Sequence, residues 1–81
     1  MKFLADIGNS QVKIAISKDE KITKIKTFSL GEINLIKQHI INICKKEKSS
    51  LLYSSVVSSD FEDKFRDFAS KIFIKVNKFI F

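Results

Sequence analysis

Val12, Ile14 and Ile16 alternate with Lys13, Ala15 and Ser17, the period of a strand with one buried face. A shorter, mostly apolar run, Lys2 to Asp6, precedes them and ends on an acid. Between the two lie Gly8, Asn9 and Ser10, residue types that turn a chain for separate reasons. Glycine accepts positive φ without strain, and Asn and Ser side chains can bond their own backbone. The pattern predicts a β-hairpin with a carboxylate at the end of its first strand. Lys18-Asp19-Glu20-Lys21 is a polar turn, and Ile22 to Phe28 follows, rich in β-branched residues yet carrying Lys24 and Lys26. Charges there suit an edge strand that resists further pairing, so the three strands form an antiparallel meander.

Beyond Phe28 the period changes. Ser29-Leu30-Gly31-Glu32 has the Ser-x-x-Glu form of a capping box. Ile33, Ile36, Ile40, Ile43 and Cys44 then share a helical face, which Leu35 and Ile41 widen. His39, the single histidine, falls toward the margin of that stripe, where a partly exposed helix residue is expected rather than a catalyst. Leu51 to Val57 lacks clear alternation, as a strand covered on both faces does. A strand–helix–strand connection favours parallel pairing with the first strand through a right-handed crossover. Ser59-Asp60-Phe61-Glu62 repeats the capping-box form, and Phe61, Phe65, Phe68, Ala69 and Ile72 space as one face of a second helix. Such a stripe is read as core. Ile72 to Val76 reads as a fifth strand. The order is βββαβαβ, an α/β domain with a mixed five-stranded sheet and helices packed on it.

Composition adjusts this picture only slightly. A chain of 81 residues makes one small domain that buries about 60–65% of its extended surface. With 44% hydrophobic and 30% charged residues it is globular. It contains no apolar run of the length a membrane span needs, and Met1 onward lacks a signal-peptide layout. One cysteine, Cys44, cannot close an intramolecular disulfide, which suits a reducing cytoplasm. The formal charge of +6 invites a nucleic-acid reading, but the basic residues are scattered lysines, with Arg66 the single arginine. Base-edge readout leans on arginine, and the one dense cluster, Lys45-Lys46-Glu47-Lys48, sits where a helix ends and complements its dipole. No nucleic-acid or membrane partner is expected. Phe79, Ile80 and Phe81 make the end of the sequence apolar, an awkward surface if left exposed, so more chain is expected beyond it.

The chemistry concentrates in the first hairpin. Small residues let a backbone approach an anion, and successive N–H groups in a turn form an anion-binding nest. An aspartate beside such a nest repels phosphate unless Mg²⁺, which prefers carboxylate, phosphate and water oxygens, lies between them. Taken alone, strand, turn and acid are also common in proteins with no such site. Phe3-Leu4-Ala5-Asp6-Ile7-Gly8-Asn9-Ser10-Gln11-Val12-Lys13 resembles the first phosphate motif of type III pantothenate kinases, members of the superfamily of actin, sugar kinases and acetate kinase. Tyr53-Ser54-Ser55-Val56-Val57-Ser58 is similar to that family's Ser-Ser-Val-Val-Pro stretch, departing from it at Ser58.

The resemblance implies the N-terminal ribonuclease-H-like subdomain of such a kinase, spanning residues 1–81, with the second subdomain absent. The complete enzyme would transfer the γ-phosphoryl of ATP to pantothenate, the first step toward coenzyme A. It implies ATP and Mg²⁺, a monovalent cation (K⁺ or NH₄⁺), pantothenate as the acceptor and a homodimer. By motif position Asp6 would hold Mg²⁺ through water, and Gly8, Asn9 and Ser10 would cradle phosphate oxygens. Lys13, on the strand leaving the turn, faces either the phosphates or solvent, and solvent is favoured. The family's Gly-x-Asp-Arg segment with its catalytic base, its second Asp-x-Gly segment and its adenine-side glycines have no counterpart, so the chain alone is expected to be inactive. Two other readings stand beside this one. One is a different small-molecule kinase or actin-like ATPase of the superfamily. The other is a non-catalytic interaction module presenting Phe61, Phe65 and the C-terminal aromatics to a partner.

Overall fold

A computed structural model describes residues 1–44, 48–56 and 60–79. It forms β1 (Lys2–Ile7), β2 (Gln11–Lys18), β3 (Lys21–Ser29), a short 3₁₀ turn (Leu30–Glu32), α1 (Ile33–Cys44), β4 (Ser50–Ser55), α2 (Asp60–Ile72) and β5 (Lys75–Lys78). One five-stranded sheet has the order β3-β2-β1-β4-β5. β1, β2 and β3 are the antiparallel meander, and β4 pairs parallel with β1 on one side and β5 on the other. The βββαβαβ order is as the sequence pattern has it. β3, with its lysines, lies at one edge.

Alternation decides which side of the sheet is buried. Phe3, Ala5 and Ile7 of β1, Val12, Ile14 and Ile16 of β2, and Leu51 and Tyr53 of β4 belong to one core with residues of both helices. Ile36, Ile40 and Cys44 come from α1, and Phe61, Phe65 and Ala69 from α2. Phe3 meets Phe73 edge to face at 5.2 Å, and Tyr53 meets Phe65 at 6.2 Å. Phe61 and Phe65 are therefore core residues and not a partner surface, because the amphipathic stripe of α2 faces the sheet.

Four details differ from the pattern. Leu35 and Ile41 are exposed, because the buried stripe of α1 runs Ile36-Ile40-Cys44 and they lie on either side of it. Ile72–Ile74 is not strand: α2 continues to Ile72, Phe73 N–H donates to the Ala69 carbonyl at 2.9 Å, and β5 starts only at Lys75. β4 is not covered on both faces. Its apolar residues point alternately into the core (Leu51, Tyr53) and onto the opposite, open side of the sheet (Leu52). Continuous apolarity thus reports two apolar faces of which one is covered. Gly8 does not use positive φ; among the described residues positive φ occurs at Asp19, Glu20 and Lys24. The Lys45-Lys46-Glu47 cluster, Val57, Ser58, the capping residue Ser59, and Ile80 and Phe81 lie outside the described residues.

Candidate functional site

β1 carries Phe3, Ala5 and Ile7 into the core, so Leu4 and Asp6 face the open side. In the ladder Asp6 lies opposite Lys13 of β2 and opposite Ser54 of β4. Residues directly opposite across adjacent strands share a face, so Lys13, Asp6 and Ser54 form one row across three strands. The Ser54 hydroxyl donates to Asp6 Oδ1 at 3.2 Å. Lys13 is exposed and lies on the same side of the sheet as the carboxylate. The row closes one end of an open groove of about 410 Å³. Its floor is Leu4, Ala15 and Leu52, and Ile22, Ile25 and Phe79 rim it.

The turn that follows Asp6 is tied at three points. Gly8 N–H donates to the Gln11 carbonyl at 2.8 Å, the Ser10 carbonyl accepts from Leu30 N–H at 3.2 Å, and the Ile7 carbonyl accepts from Val56 N–H at 3.1 Å. A Cβ at residue 8 would stand 3.3 Å from the Gln11 oxygen, tighter than ordinary contact, so glycine serves close approach here rather than φ. Since the Gly8 N–H is engaged and no residue of the turn is left-handed, the turn is not an αR–αL nest. Asn9 and Ser10, both exposed at its tip, are the groups it offers outward.

Asp6, Gly8, Asn9, Ser10 and Lys13 are thus gathered at the carboxyl end of β1 and its return. Ser54 was not singled out by sequence reasoning, although it lies in the Ser-Ser-Val-Val stretch. The signal was there: parallel pairing of the first and fourth strands, in register, sets Ser54 beside Asp6. Among the described residues no three His, Cys, Asp or Glu side chains come together as a metal site. The oxygen-rich set of one carboxylate, hydroxyls and a polar turn fits a hard cation that keeps most of its waters.

Two other titratable groups lie elsewhere. Glu62, 3% exposed, accepts from Lys78 Nζ at 2.8 Å and from the Tyr53 hydroxyl at 3.4 Å, tying α2 to β4 and β5. The Lys78 bond, above all, holds its carboxyl below the usual glutamate range against the opposing effect of burial. His39 is half-buried against Phe28, ring centroids 5.4 Å apart. Burial first, then the charges of Lys26 and Lys24, push its pKa down. It packs on Phe28 of β3, which is a core residue, whereas Asp6 faces the open side of the sheet.

No family model matches the chain, and no curated protein does. Solved structures do. A Bacteroides thetaiotaomicron protein with an actin-like ATPase fold and unknown function is 10% identical, with a TM-score of 0.73 over 96% of this chain and 32% of its own. The Aquifex aeolicus member of the Ppx/GppA family is 16% identical, with a TM-score of 0.51 over 96% of this chain and 34% of its own. The chain has the ribonuclease-H-like subdomain fold of actin-like ATPases. At these identities the likeness is one of fold, and fold alone does not give function. The chain spans about a third of the length of these structures. No described helix is long and apolar enough to cross a membrane.

Proposed function

We propose that this chain is the phosphate-binding N-terminal subdomain of a phosphotransferase of the actin and sugar-kinase superfamily, and within it of a type III pantothenate kinase. The observation that carries the reading is Asp6 at the end of β1, bonded by Ser54, opposite Lys13 and next to the Gly8-Asn9-Ser10 turn. Phosphoryl transfer relies on positioning and on neutralising phosphate charge. A bound Mg²⁺ would supply positive charge to offset that of the phosphates. Asp6 is the residue that would hold it through water, the exposed Asn9 and Ser10 would contact phosphate oxygens, and Gly8 keeps the turn tight. Lys13, on the same side as Asp6, adds a positive charge to that row. The kinase assignment within the superfamily rests on the Asp6–Ser10 and Tyr53–Val57 motifs; the pantothenate acceptor, the monovalent cation and the homodimer belong to the complete enzyme.

Residues 1–81 contain no Gly-x-Asp-Arg segment, the part that carries the base in that family, so the chain should bind Mg·ATP weakly and transfer nothing. Amide NMR of the 81-residue chain during titration with Mg²⁺ and ATP checks this. Shifts should centre on residues 6–13 and require the metal. Asp6→Asn, which removes the charge and keeps the shape, should abolish that requirement. Shifts confined to β3 and α1, or phosphorylation of pantothenate by the chain alone, would sink the reading. Another small-molecule kinase or actin-like ATPase would share the metal-nucleotide site and differ in its acceptor.

A further inference from the structure

The carboxylate of Asp6 is exposed, and an exposed side chain with two free torsions does not present one oxygen in one place. The ladder supplies the restraint. β4 runs parallel to β1 with Asp6 opposite Ser54, and the half-buried Ser54 hydroxyl donates to Oδ1 at 3.2 Å. The backbone around that hydroxyl is itself fixed: Val56 N–H bonds the Ile7 carbonyl at 3.1 Å, and Phe79 N–H bonds the Tyr53 carbonyl at 2.7 Å. The donor is therefore held by strands on both sides, while its acceptor has solvent on the remaining side. Oδ1 of Asp6 is thus engaged by the protein, on a side chain that is otherwise exposed.

We infer that Ser54 is a positioning residue for the metal-nucleotide site, orienting the Asp6 carboxylate so that one oxygen stays available to a hydrated divalent cation. The inference deepens the proposed function and rests on it. Groups that hydrogen-bond a metal-binding carboxylate set its orientation and contribute to metal affinity. Lys13, on the other side of the row, is a charge on a flexible stem. It competes with a cation for the carboxylate, and the hydroxyl, being neutral, orients Asp6 without competing. The arrangement suits a divalent cation carried in with polyphosphate, which also gives the Lys13 ammonium an anion to meet.

The test uses Mn²⁺ with ATP as a paramagnetic probe of the 81-residue chain, read as broadening of the amides near residues 6–10 against metal concentration. Ser54→Ala should weaken the apparent metal affinity about tenfold while leaving the urea midpoint of the metal-free chain in place. Ser54→Thr, which keeps the hydroxyl, should restore it. In an Asp6→Asn background, Ser54→Ala should change nothing further, because the group it orients is gone. A stable Ser54→Ala chain with unchanged metal affinity, or one whose loss persists in the Asp6→Asn background, overturns the positioning role and leaves the nucleotide reading standing. Absence of metal-dependent broadening in the unsubstituted chain overturns the nucleotide reading and the role of Ser54 with it.

Discussion

Asp19 and Glu20 hold φ of 53° and 64° in the two-residue turn between β2 and β3, where Lys18 pairs with Lys21. Positive φ at both central residues is the type I′ turn whose twist matches a hairpin, and it favours Asn-Gly or Asp-Gly. Asp tolerates the left-handed region, but Glu has no such excuse and is strained there by about 1 kcal/mol. Glu20→Gly should therefore raise stability by roughly that amount, seen as a higher urea midpoint with unchanged slope. No gain would mean that the turn relaxes in solution. Glu62 is a second residue with a measurable signature. Its carboxyl titrates below its reference of 4.5, chiefly because of Lys78. A folded-state pKa below the unfolded one contributes stability that is complete above about pH 4.5 and disappears as pH falls through the lower folded value. Glu62→Gln should lower stability at neutral pH by about 1–3 kcal/mol and shrink the difference between neutral and acid unfolding midpoints. If wild type and variant lose stability in parallel on acidification, the Glu62–Lys78 pair is not the source.

α1 shows how much an element's sequence pattern can say. Ile36, Ile40 and Cys44 recur at four-residue steps and are buried, whereas Leu35 is 56% and Ile41 is 44% exposed. Apolar type and helical spacing admit all five, but the sheet touches only the stripe in the middle. Ile40→Ala should cost about 2–5 kcal/mol, and Leu35→Ala within about 0.5; comparable losses would mean that α1 presents a different face to the sheet. The strand order and the hairpin were legible because period 2, period 3.6 and a Gly-Asn-Ser turn are local signals. The start of β5 was not, since Ile72 fits both the helical face of Phe61, Phe65 and Ala69 and the β-branched run that continues to Val76. The Ala69–Phe73 bond and Phe73 packing on Phe3 decide it. The site was legible in the same uneven way. Asp6 and its turn stand out in sequence, but Ser54 acquires meaning only from register. β3 adds a feature that no pattern showed: a bulge in which Lys24 and Ile25 lie opposite Ala15, with Lys24 at φ 52°. It turns Ile25 onto the open side, and it disturbs the pairing edge as such bulges do.

At the scale of the molecule, the sheet is two-sided in its residues and one-sided in its cover. The helices and the core residues of β1 to β4 lie together, with Val76 of β5 packed against them, while Leu4, Ala15 and Leu52 floor a groove on the other side. Ile25, 66% exposed, and Phe79, 50% exposed, stand at its rim with Ile22. A contiguous apolar face of this kind promotes association, and the chain's charge of +6 opposes it. The two effects have different salt dependences. Repulsion between like-charged molecules weakens as the Debye length falls from about 10 Å at 0.1 M toward 3 Å at 1 M salt, while the apolar attraction persists. The chain should therefore self-associate at micromolar concentration, and more strongly as salt is raised. Ile25→Lys with Phe79→Ser should suppress this without unfolding the chain, because neither residue belongs to the core. The added lysine takes the charge from +6 to +7, strengthening repulsion at low salt. Sedimentation of both chains at low and high salt decides the matter, with circular dichroism as the check on folding. A wild-type chain that stays monomeric at every salt concentration would show that the groove is satisfied by water and by its own rim.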